Sequence, residues 1–348
     1  MQAVILVGGE GTRLRPLTHV TPKPMVPLFG VPFLERTLVR LKEAGITDVI
    51  LAAGYLPSAI TDYFGDGAQL GMKLTYVIEE SPLGTAGALK NVADHLTGPF
   101  FVLNGDIITD LDLKAMSEYH RQKGGLGVLH LTRVEDPSAF GCVAHEADGR
   151  ITAFVEKPAP GEEPSNEINA GTYLLEREVL ERIPPGPVSI ERTTFPQLLS
   201  AGERLYAYTT DDYWLDLGRP EQYIQAHRDA LDERLNLGLP AGSDAVVKPS
   251  FMGKDTFVDP TATVGPYAVL GERDRIEKGA SVRDSILWDD VVVGENARVE
   301  GAILASGVRV GKGATIGTGS VVGHAVEIDS GALIPPNSRL SSHATANI

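Results

Sequence analysis

Near the start of the 348-residue sequence, a glycine-rich loop directly follows the all-apolar run Ala3–Val7. The loop, Gly8–Leu14, reads GGEGTRL, and its glycines let backbone N–H groups converge on an anion with no Cβ in the way. The Thr12 hydroxyl and the Arg13 guanidinium add donors that suit phosphate oxygens. The loop lacks the Gly-Lys-Ser/Thr of a P-loop, and Leu14 stands where the dinucleotide fingerprint needs a third glycine. We therefore expect a phosphate-binding loop of another kind, with donors from Gly8, Gly9, Gly11, Thr12 and Arg13.

A lysine between two prolines follows in Pro22-Lys23-Pro24. Proline fixes its own φ and restricts the residue before it, so we predict a rigid, extended segment. A rigidly held cation suits a bound polyphosphate, but the same three residues also occur in ordinary surface loops. The segment by itself leaves both interpretations open.

The elements that must hold these residues alternate between apolar runs and amphipathic stretches. Asp48–Ala53 (DVILAA) is predicted to be a strand, and the apolar residues between Phe33 and Ala44 follow helical spacing. Apolar strands separated by helices are typical of βαβ units in a parallel sheet that is buried on both faces. Pro220–Leu235 is predicted to be a closing helix that begins with proline. We expect an α/β domain over residues 1–235.

A six-residue period begins beyond residue 256. The aliphatic positions with this spacing form two runs: Val258, Val264, Leu270, Ile276 and Val282, then Val310, Ile316, Val322, Ile328 and Ile334. Such a period, with small residues between the aliphatic ones, predicts a β-helix of stacked coils with aliphatic ladders inside. Between the runs the spacing is 11, 6 and 11, as if one residue were removed from a coil with three six-residue sides. A β-sandwich is the alternative, but its strands alternate with period two.

The two patterns are separated by residues 236–256, which contain glycine and proline without a clear period. We interpret this stretch as a linker. The repeat domain is then expected to cover residues 257–348.

The composition limits the classes of function. Forty-six Asp and Glu against 31 Lys and Arg give a formal charge of −15, which repels nucleic acid and anionic lipid. No apolar run approaches the roughly 20 residues that span a bilayer, and no basic or long apolar segment precedes Ala3. The single cysteine, Cys142, excludes an internal disulfide. We expect a cytoplasmic protein that binds neither nucleic acid nor membrane.

Several segments resemble the motifs of the sugar-1-phosphate nucleotidyltransferases, the nucleotide-sugar pyrophosphorylases. The signature is Gly8–Thr18 (GGEGTRLRPLT) followed by Pro22–Met25 (PKPM). Further family-like segments follow in order: Pro82–Gly87 (PLGTAG), Asn104–Asp106 (NGD), Phe154–Pro158 (FVEKP), Asn169–Tyr173 (NAGTY) and Trp214–Gly218 (WLDLG). The residue sequences of these motifs are most similar to those of the mannose-1-phosphate guanylyltransferase branch. The resemblance implies a Rossmann-like nucleotidyltransferase domain with a mainly parallel sheet, followed by a left-handed β-helix of hexapeptide repeats.

The resemblance also implies a reaction, the transfer of a nucleotidyl group from a nucleoside triphosphate to a sugar-1-phosphate with release of pyrophosphate. GTP and mannose-1-phosphate, giving GDP-mannose, are the first expectation. Either dTTP or UTP with glucose-1-phosphate is the alternative, as is a non-catalytic regulatory homologue. The attacking phosphate is already anionic near pH 7, its second pKa being about 6. The protein therefore needs no general base, but it must neutralise and align two anions.

The family implies roles for particular charged residues. Arg13 and Lys23 would act on the triphosphate, and Lys157 would hold the phosphate of the sugar. Mg²⁺ is the implied cofactor, with Asp106 and Asp216 as its ligands, because this cation takes carboxylate and phosphate oxygens. Each aspartate alone is equally explained by a helix cap or a turn. Only such structural roles are expected for Asp110, Asp112, Asp211 and Asp212.

The remaining implied positions concern the sugar and the base. The resemblance places sugar recognition at Gly141, Glu156, Asn169 and Gly171. Base and ribose are expected near Gly84, Thr85 and either Glu79 or Glu80, since a carboxylate can accept from N1–H and the N2 amino group of guanine. The segment Ser189–Arg192 (SIER) resembles a family segment that shapes the sugar pocket, with no individual roles assigned.

Stacked six-residue repeats also build acyltransferases that use a histidine between coils. The repeat domain here contains His324 and, in the tail, His343. The turn-like sequence around His324 argues against a catalytic role. We expect the repeat domain to serve homo-oligomerisation or allostery.

Overall fold

The computed structural model describes residues 1–239 and 246–342. Pro240, Gly242 and Ser243 of the predicted linker and His343 of the tail lie outside the described residues. The strands before residue 217 are β1 (Gln2–Val7), β2 (Pro27–Leu28), β3 (Val31–Pro32), β4 (Asp48–Ala53), β5 (Lys73–Ile78), β6 (Phe100–Asn104), β7 (Ile107–Thr109), β8 (Gly127–Arg133), β9 (Gly141–His145), β10 (Ile151–Glu156), β11 (Glu167–Leu175), β12 (Leu205–Thr209) and β13 (Trp214–Asp216). The helices are α1 (Phe33–Glu43), α2 (Pro57–Phe64), α3 (Gly84–Asn91), α4 (Leu113–Lys123), α5 (Val179–Arg182), α6 (Phe195–Ser200) and α7 (Pro220–Leu231). The later strands are β14 (Phe251–Met252), β15 (Phe257–Val258), β16 (Thr263–Val264), β17 (Val269–Leu270), β18 (Arg275–Ile276), β19 (Ser281–Arg283), β20 (Ile286–Leu287), β21 (Val292–Val293), β22 (Arg298–Glu300), β23 (Ile303–Leu304), β24 (Arg309–Val310), β25 (Thr315–Ile316), β26 (Val321–Val322), β27 (Glu327–Ile328), β28 (Leu333–Ile334) and β29 (Arg339–Leu340).

The described residues form two compact units, and each unit contains two separate segments of the chain. The first unit contains Met1–Gly9 and Arg36–Trp214, and the second contains Glu10–Glu35 and the chain from Leu215 onward. The segment Glu10–Glu35, which includes Lys23, therefore belongs to the same unit as the repeats. The domain boundaries drawn at residues 235 and 256 stay a prediction, and β14 falls inside the stretch interpreted as a linker.

The first unit is built on a sheet with the strand order β10-β9-β11-β6-β1-β4-β5, and β8 pairs with both β11 and β12. At its centre, β1 lies parallel to β4 and to β6, and β5 lies parallel to β4. The apolar runs form these central strands because both faces are covered, and Val4, Ile50 and Val102 are fully or almost fully buried. The predicted strand Asp48–Ala53 and the helix after Phe33 are confirmed. The expectation of a Rossmann-like unit with a parallel central sheet is met.

The predicted closing helix is shorter than the sequence suggested. It begins at Pro220 as expected but ends at Leu231 rather than at Leu235. Glu233 adopts a left-handed φ of 62°, and the N–H groups of Arg234 and Leu235 turn back to the Asp229 carbonyl. This left-handed turn ends the helix before the last apolar residue.

The repeats of the second unit form a β-helix. In the described residues its short strands stack into three parallel sheets, which begin with β14, β15 and β16. Val264 pairs with Val282 and Val282 pairs with Val299, so the second of these coils is one residue shorter than the first. The ladder side chains are buried, as the six-residue period predicts: Leu270, Ile276, Val282, Leu287, Val293, Val299, Leu304, Val310, Ile316 and Val322. One residue is missing between Val282 and Leu287 and another between Val299 and Leu304, where the ladder step is five residues instead of six.

No helix within residues 1–239 and 246–342 has both the length and the apolar character required to cross a bilayer.

Candidate active site

In the first unit, β1 ends at the first glycines of the loop, and Gly8 lies beside Glu79. A Cβ on Gly8 would lie 3.6 Å from the Gly54 nitrogen and 3.8 Å from both carboxylate oxygens of Glu79. Glu79 follows the parallel neighbour β5, and its Oε2 accepts a hydrogen bond of 3.2 Å from the Leu83 nitrogen. The carboxyl edge of the sheet thus brings a carboxylate to the first loop glycine.

The second unit holds the rest of the loop against Lys23. Gly11 has a left-handed φ of 61°, and a Cβ there would lie 3.1 Å from Lys23 Cβ and 3.1 Å from Thr18 Cγ2. The Thr18 hydroxyl donates to the Gly11 carbonyl over 2.8 Å. Glycine is required at this position by both its φ and its neighbours. The loop and the lysine, which sequence reasoning treated as separate segments, are packed together.

Two residues of the Trp214–Gly218 motif, Asp216 and Gly218, lie beside Lys23 and Arg13, respectively. Lys23 Nζ lies 3.9 Å from Asp216 Oδ1, and the side chains are only 11% and 18% exposed. A Cβ on Gly218 would lie 3.0–3.1 Å from the guanidinium atoms of Arg13, so that guanidinium lies flat over the glycine. Thr12 and Arg13 are exposed. The second unit therefore presents two cations and one carboxylate together.

The expectation of an extended Pro-Lys-Pro segment is wrong beyond its first residue. Pro22 is extended, with φ −60° and ψ 145°, but Lys23–Met25 form a 3₁₀ turn. The Met25 N–H bonds to the Pro22 carbonyl over 2.7 Å, which closes the turn. The φ of about −65° that a proline ring imposes also occurs in a 3₁₀ turn, so the two prolines do not require an extended chain.

Asp106 is positioned by a close approach between two strands of the first unit. The Gly105 N–H donates to the Leu6 carbonyl over 3.0 Å. A Cβ on Gly105 would lie 2.6 Å from that carbonyl oxygen and 2.8 Å from Val7 Cγ1. Only glycine fits here, and the next residue, Asp106, leaves the carboxyl end of β6 partly buried.

The segment Asn169–Tyr173 contains a bulge that reorients Asn169. The register of β11 against β8 shifts between these two residues, and Gly171 between them has a φ of 74°. Asn169 Oδ1 accepts from the Gly171 nitrogen over 3.0 Å, and Asn169 Nδ2 donates to the Tyr173 hydroxyl over 2.7 Å. Bulges are common beside active sites because they re-aim a side chain. Here the amide is locked in one orientation.

Glu156 lies at the end of β10, opposite Gly141. The two residues pair in the ladder, and a Cβ on Gly141 would lie 2.8 Å from Glu156 Oε2. Lys157 has a left-handed φ of 52° and an exposed side chain, with Nζ 3.9 Å from Glu156 Oε1. Burial raises the pKa of Glu156, and the negative charge of Glu191 raises it further, whereas Lys157 and Arg192 lower it.

Glu191 is a residue to which sequence reasoning assigned no role. Its Oε2 accepts hydrogen bonds of 2.7 Å from both the Thr85 and the Ser189 hydroxyls. The Tyr173 hydroxyl also hydrogen bonds with Glu191. One carboxylate thus connects Thr85, expected near the nucleotide, with Tyr173, the hydrogen-bond partner of Asn169, which is expected near the sugar. Ser189 accepts from the Arg192 nitrogen as an N-cap, but Glu191 is the second helical residue and not the third as in a capping box, so no local sequence signal pointed to its role.

The start of α3 is packed against the segment that carries Glu191. Gly84 has a φ of 70°, and a Cβ there would lie 2.7 Å from the Val188 carbonyl oxygen. The same carbonyl accepts from the Ala86 nitrogen over 2.9 Å, and the Val188 nitrogen donates to the Leu83 carbonyl over 2.8 Å. These backbone bonds hold Thr85 within reach of Glu191.

The two acidic candidates for the base differ in their surroundings. Burial raises the pKa of Glu79, although the hydrogen bond from Leu83 opposes this effect. Glu80 is exposed. Glu79 lies against Gly8 of the loop. Of the two candidates that the sequence left open, we therefore prefer Glu79.

Three of the four aspartates expected to have only structural roles form a helix cap or an ion pair. Asp112 caps α4, its Oδ1 accepting from the Lys114 and Ala115 nitrogens at 2.9 and 3.0 Å. Asp110 lies 3.7 Å from Arg40, and Asp211 forms a 3.0 Å ion pair with the exposed Arg133. Asp212 is exposed. The expectation of a helix cap is confirmed at Asp112.

The implied Mg²⁺ ion needs oxygen donors from the protein. In the part of the chain that the structure describes, no three His, Cys, Asp or Glu side chains form a cluster suited to a metal ion. Mg²⁺ commonly uses only one or two protein carboxylates together with substrate phosphates. Asp106 and Asp216 are donors of this type, so the residues fit the group. Their joint role stays a prediction.

The fold agrees with comparisons to known proteins. Residues 2–233 match the family described as nucleotidyl transferase, and residues 239–334 match the EIF2B subunit epsilon LbH domain. The chain belongs to the nucleotidyl transferase family. Its repeat domain is a left-handed β-helix, and the resemblance inferred from the motifs is confirmed.

Individual relatives extend over most of the chain. A mannose-1-phosphate guanylyltransferase of Mycobacterium tuberculosis is 40% identical over 318 residues, which cover 90% of this chain and 82% of that protein. A mannose-1-phosphate guanyltransferase of Candida albicans is 34% identical, with 99% of this chain and 98% of that protein covered. The crystal structure of HddC from Yersinia pseudotuberculosis in complex with GMP-PN superposes with a TM-score of 0.56 at 32% identity. That match covers 65% of this chain and 97% of the other.

Proposed function

We propose that the protein transfers GMP from GTP to mannose-1-phosphate, giving GDP-mannose and pyrophosphate. The observation that carries the nucleotidyl transfer is the packing of Gly11 on Lys23, with Asp216 3.9 Å from the lysine. The choice of guanine and mannose is supported by the names of relatives that match along most of the chain.

The reaction is an in-line substitution at the α-phosphorus. An oxygen of the mannose-1-phosphate forms the new P–O bond, and the bond to the pyrophosphate oxygen breaks. Because the attacking phosphate is already deprotonated, no side chain has to remove a proton. Catalysis then consists of neutralising charge and holding the two substrates in line.

We assign these tasks to the loop and to three cations. The N–H groups of Gly8, Gly9 and Gly11 and the Thr12 hydroxyl donate to the triphosphate. Arg13 and Lys23 neutralise the charge that develops on the departing pyrophosphate. Lys157, which is exposed and held by a left-handed φ, binds the phosphate of the sugar.

Nucleotidyltransferases of this family generally use a divalent metal. We assign Mg²⁺ to Asp106 and Asp216, since both supply carboxylate oxygens. When bound, the ion neutralises phosphate charge and orients the reacting groups. Lys23 Nζ lies 3.9 Å from Asp216 Oδ1, so the proposed metal ligand and a proposed triphosphate-binding cation are neighbours.

For the sugar, we assign Glu156 and Asn169 as the groups that bind hydroxyls. Asn169 is already oriented by Gly171 and Tyr173, which lowers the entropy lost on binding. Gly141 leaves room in front of Glu156, because a side chain there would lie 2.8 Å from the Glu156 carboxylate.

For the base, we assign Glu79, which would accept from N1–H and the N2 amino group of guanine. Glu79→Gln keeps an acceptor for the Leu83 nitrogen but presents an N–H group or a weaker acceptor to guanine. We expect the preference for GTP over dTTP to fall about 10-fold or more, which corresponds to one charged hydrogen bond. The exposed Glu80 offers a matched control, and Glu80→Gln should leave the preference within two-fold, a limit we set at about 0.4 kcal/mol. An unchanged preference in Glu79→Gln would remove this assignment.

The proposed substrates are tested directly by a matrix of nucleoside triphosphates and sugar-1-phosphates. GTP, ATP, UTP, dTTP and CTP are each combined with mannose-, glucose- and N-acetylglucosamine-1-phosphate in Mg²⁺, and released pyrophosphate is measured. The highest kcat/KM is expected for GTP with mannose-1-phosphate. Preference for dTTP or UTP with glucose-1-phosphate would replace the proposed substrates, and no turnover with any pair would contradict the enzyme assignment. We further propose that the β-helix mediates homo-oligomerisation; cytoplasmic location stays a prediction.

A further inference from the structure

The β-helix contributes one side chain to the surroundings of the signature segment within the second unit. His324 follows β26 in a turn between two sides of a coil and is partly buried. Its Nε2 lies 3.1 Å from the Thr21 hydroxyl, two residues before Lys23. Its ring contacts the Trp288 ring edge to face, with centroids 5.2 Å apart. The imidazole therefore faces the segment of Lys23 and not a cleft between coils.

His324 contacts the signature segment at a second point. The imidazole also hydrogen bonds with the backbone of Leu17. A neutral imidazole has one donor and one acceptor nitrogen, so it satisfies a carbonyl and a hydroxyl at once. Burial lowers the pKa of His324, which favours this neutral form. The ring thus joins the 3₁₀ turn Leu17–His19 to the residues just before the turn Lys23–Met25.

These contacts continue to the phosphate-binding loop. Thr18, next to Leu17, donates to the Gly11 carbonyl over 2.8 Å, and Gly11 packs on the Lys23 side chain. Beside His324, a Cβ on Gly323 would lie 3.2 Å from Pro16 Cβ, so the turn of the β-helix packs closely against the segment. A displacement of His324 would be transmitted to Gly11 and Lys23 through two hydrogen bonds.

We propose that His324 is a positioning residue for the nucleoside triphosphate, through which the β-helix holds Gly11 and Lys23 in place. This inference rests on the proposed nucleotidyl transfer, because it names what the repeat domain contributes to that reaction. It also gives His324 a role other than the acyltransferase-type catalysis that stacked repeats can support.

The test removes each partner of the His324–Thr21 bond separately. His324→Phe keeps an aromatic ring against Trp288 but removes both ring nitrogens, and Thr21→Val removes only the hydroxyl. Each is expected to raise KM for GTP about 10-fold, the effect of leaving one polar group without its partner, and to leave KM for mannose-1-phosphate unchanged. The exposed Thr318 provides a control, and Thr318→Val should change neither value.

A double variant separates positioning from a general loss of structure. If one contact is shared, His324→Phe with Thr21→Val should raise KM for GTP less than the product of the single effects. Independent multiplication of the two effects would contradict the proposal, as would an equal change in both KM values. A normal KM for GTP in Thr21→Val would also overturn it, even if His324→Phe failed to fold.

A binding measurement keeps this proposal distinct from the proposed reaction. Titration calorimetry with inorganic tripolyphosphate and Mg²⁺ requires no turnover, and both variants are expected to bind about 10-fold more weakly than the unmodified protein. If no substrate pair is turned over but this difference appears, the reaction is refuted and the positioning role stands. If turnover is normal and tripolyphosphate binds equally to all variants, the positioning role is refuted and the reaction stands.

Discussion

Replacing Gly105 by alanine would place a methyl group against the backbone of β1. The new Cβ would lie 2.6 Å from the Leu6 carbonyl oxygen and 2.8 Å from Val7 Cγ1. That carbonyl also accepts the Gly105 N–H over 3.0 Å, so the two strand ends cannot separate without weakening this hydrogen bond. The residue that must move is the neighbour of Asp106.

The expected effect can be worked from this geometry. Overpacking costs about 1–3 kcal/mol, and weakening one backbone hydrogen bond adds about 1 kcal/mol. The free energy of unfolding of the first unit should therefore fall by about 2–4 kcal/mol. Restoring an ordinary contact requires a shift approaching about 1 Å, and misplacement of this size lowers a rate about 100-fold. We expect kcat to fall by about that factor, with KM for mannose-1-phosphate almost unchanged.

Gly98→Ala is the matched control, because nothing lies within 4 Å of a Cβ at that position. It should leave kcat unchanged and alter stability by less than about 1 kcal/mol. The assays are pyrophosphate release with saturating substrates and urea unfolding followed by tryptophan and tyrosine signals. Unaltered kcat in Gly105→Ala, with the loss of stability present, would refute the link between this close approach and the position of Asp106.

The remaining predictions concern the metal, the sugar region and pH. Asp106→Asn and Asp216→Asn should each lower kcat at least about 100-fold and raise the Mg²⁺ concentration needed for activity. The kcat of Asp112→Asn should stay within about two-fold of that of the unmodified protein, since asparagine caps a helix about as well as aspartate. Equal effects in all three variants would contradict the metal assignment. Glu191→Gln removes a negative charge that raises the pKa of Glu156, and the pKa of Glu156 should therefore fall in a carboxyl ¹³C NMR titration. An unchanged pKa of Glu156 would show that the two carboxylates do not interact. His130 is buried in β8, and burial lowers its pKa to about 4, so the folded state holds it neutral while the unfolded chain takes up a proton near pH 6.5. Its contribution to stability is therefore fully present above pH 6.5 and is lost as the pH falls towards 4, by up to about 3 kcal/mol. Urea unfolding between pH 7.5 and 4.5 should show a smaller loss of stability in His130→Gln than in the unmodified protein, and parallel pH dependences would contradict this.

Much of the fold follows from patterns of neighbouring residues. The uninterrupted apolar run Ala3–Val7 predicts a strand covered on both faces, and the consecutive residues Ala3, Val4 and Ile5 of β1 are fully buried. The six-residue period predicts stacked coils, and the shortened spacing after Val282 predicts the shorter coil that the strand register shows. In each case the burial of a side chain is repeated at a fixed interval along the chain, so it is visible without knowledge of long-range contacts.

The conformation of single loops and the contacts of their side chains follow less completely from the sequence. Two prolines around Lys23 restrict φ in an extended segment and in a 3₁₀ turn alike, so they did not distinguish between them. The role of Glu191 depends on Thr85 and Tyr173, which are distant along the chain and meet only through the packing of α3 and β11. No local pattern around Glu191 names those partners.

For this protein, consecutive residues suffice to predict the α/β unit, the β-helix and the class of chemistry, and they single out the glycine-rich loop as a candidate for binding phosphate. The reason is that periodic burial and donor-rich glycine turns are properties of short stretches of chain. By contrast, the sequence does not predict which distant residues come into contact, because such contacts depend on the packing of segments that are far apart along the chain. The close approach of Gly105 to Leu6, the contact of Lys23 with Asp216 and the bond from His324 to Thr21 arise only when the sheet and the coils have formed.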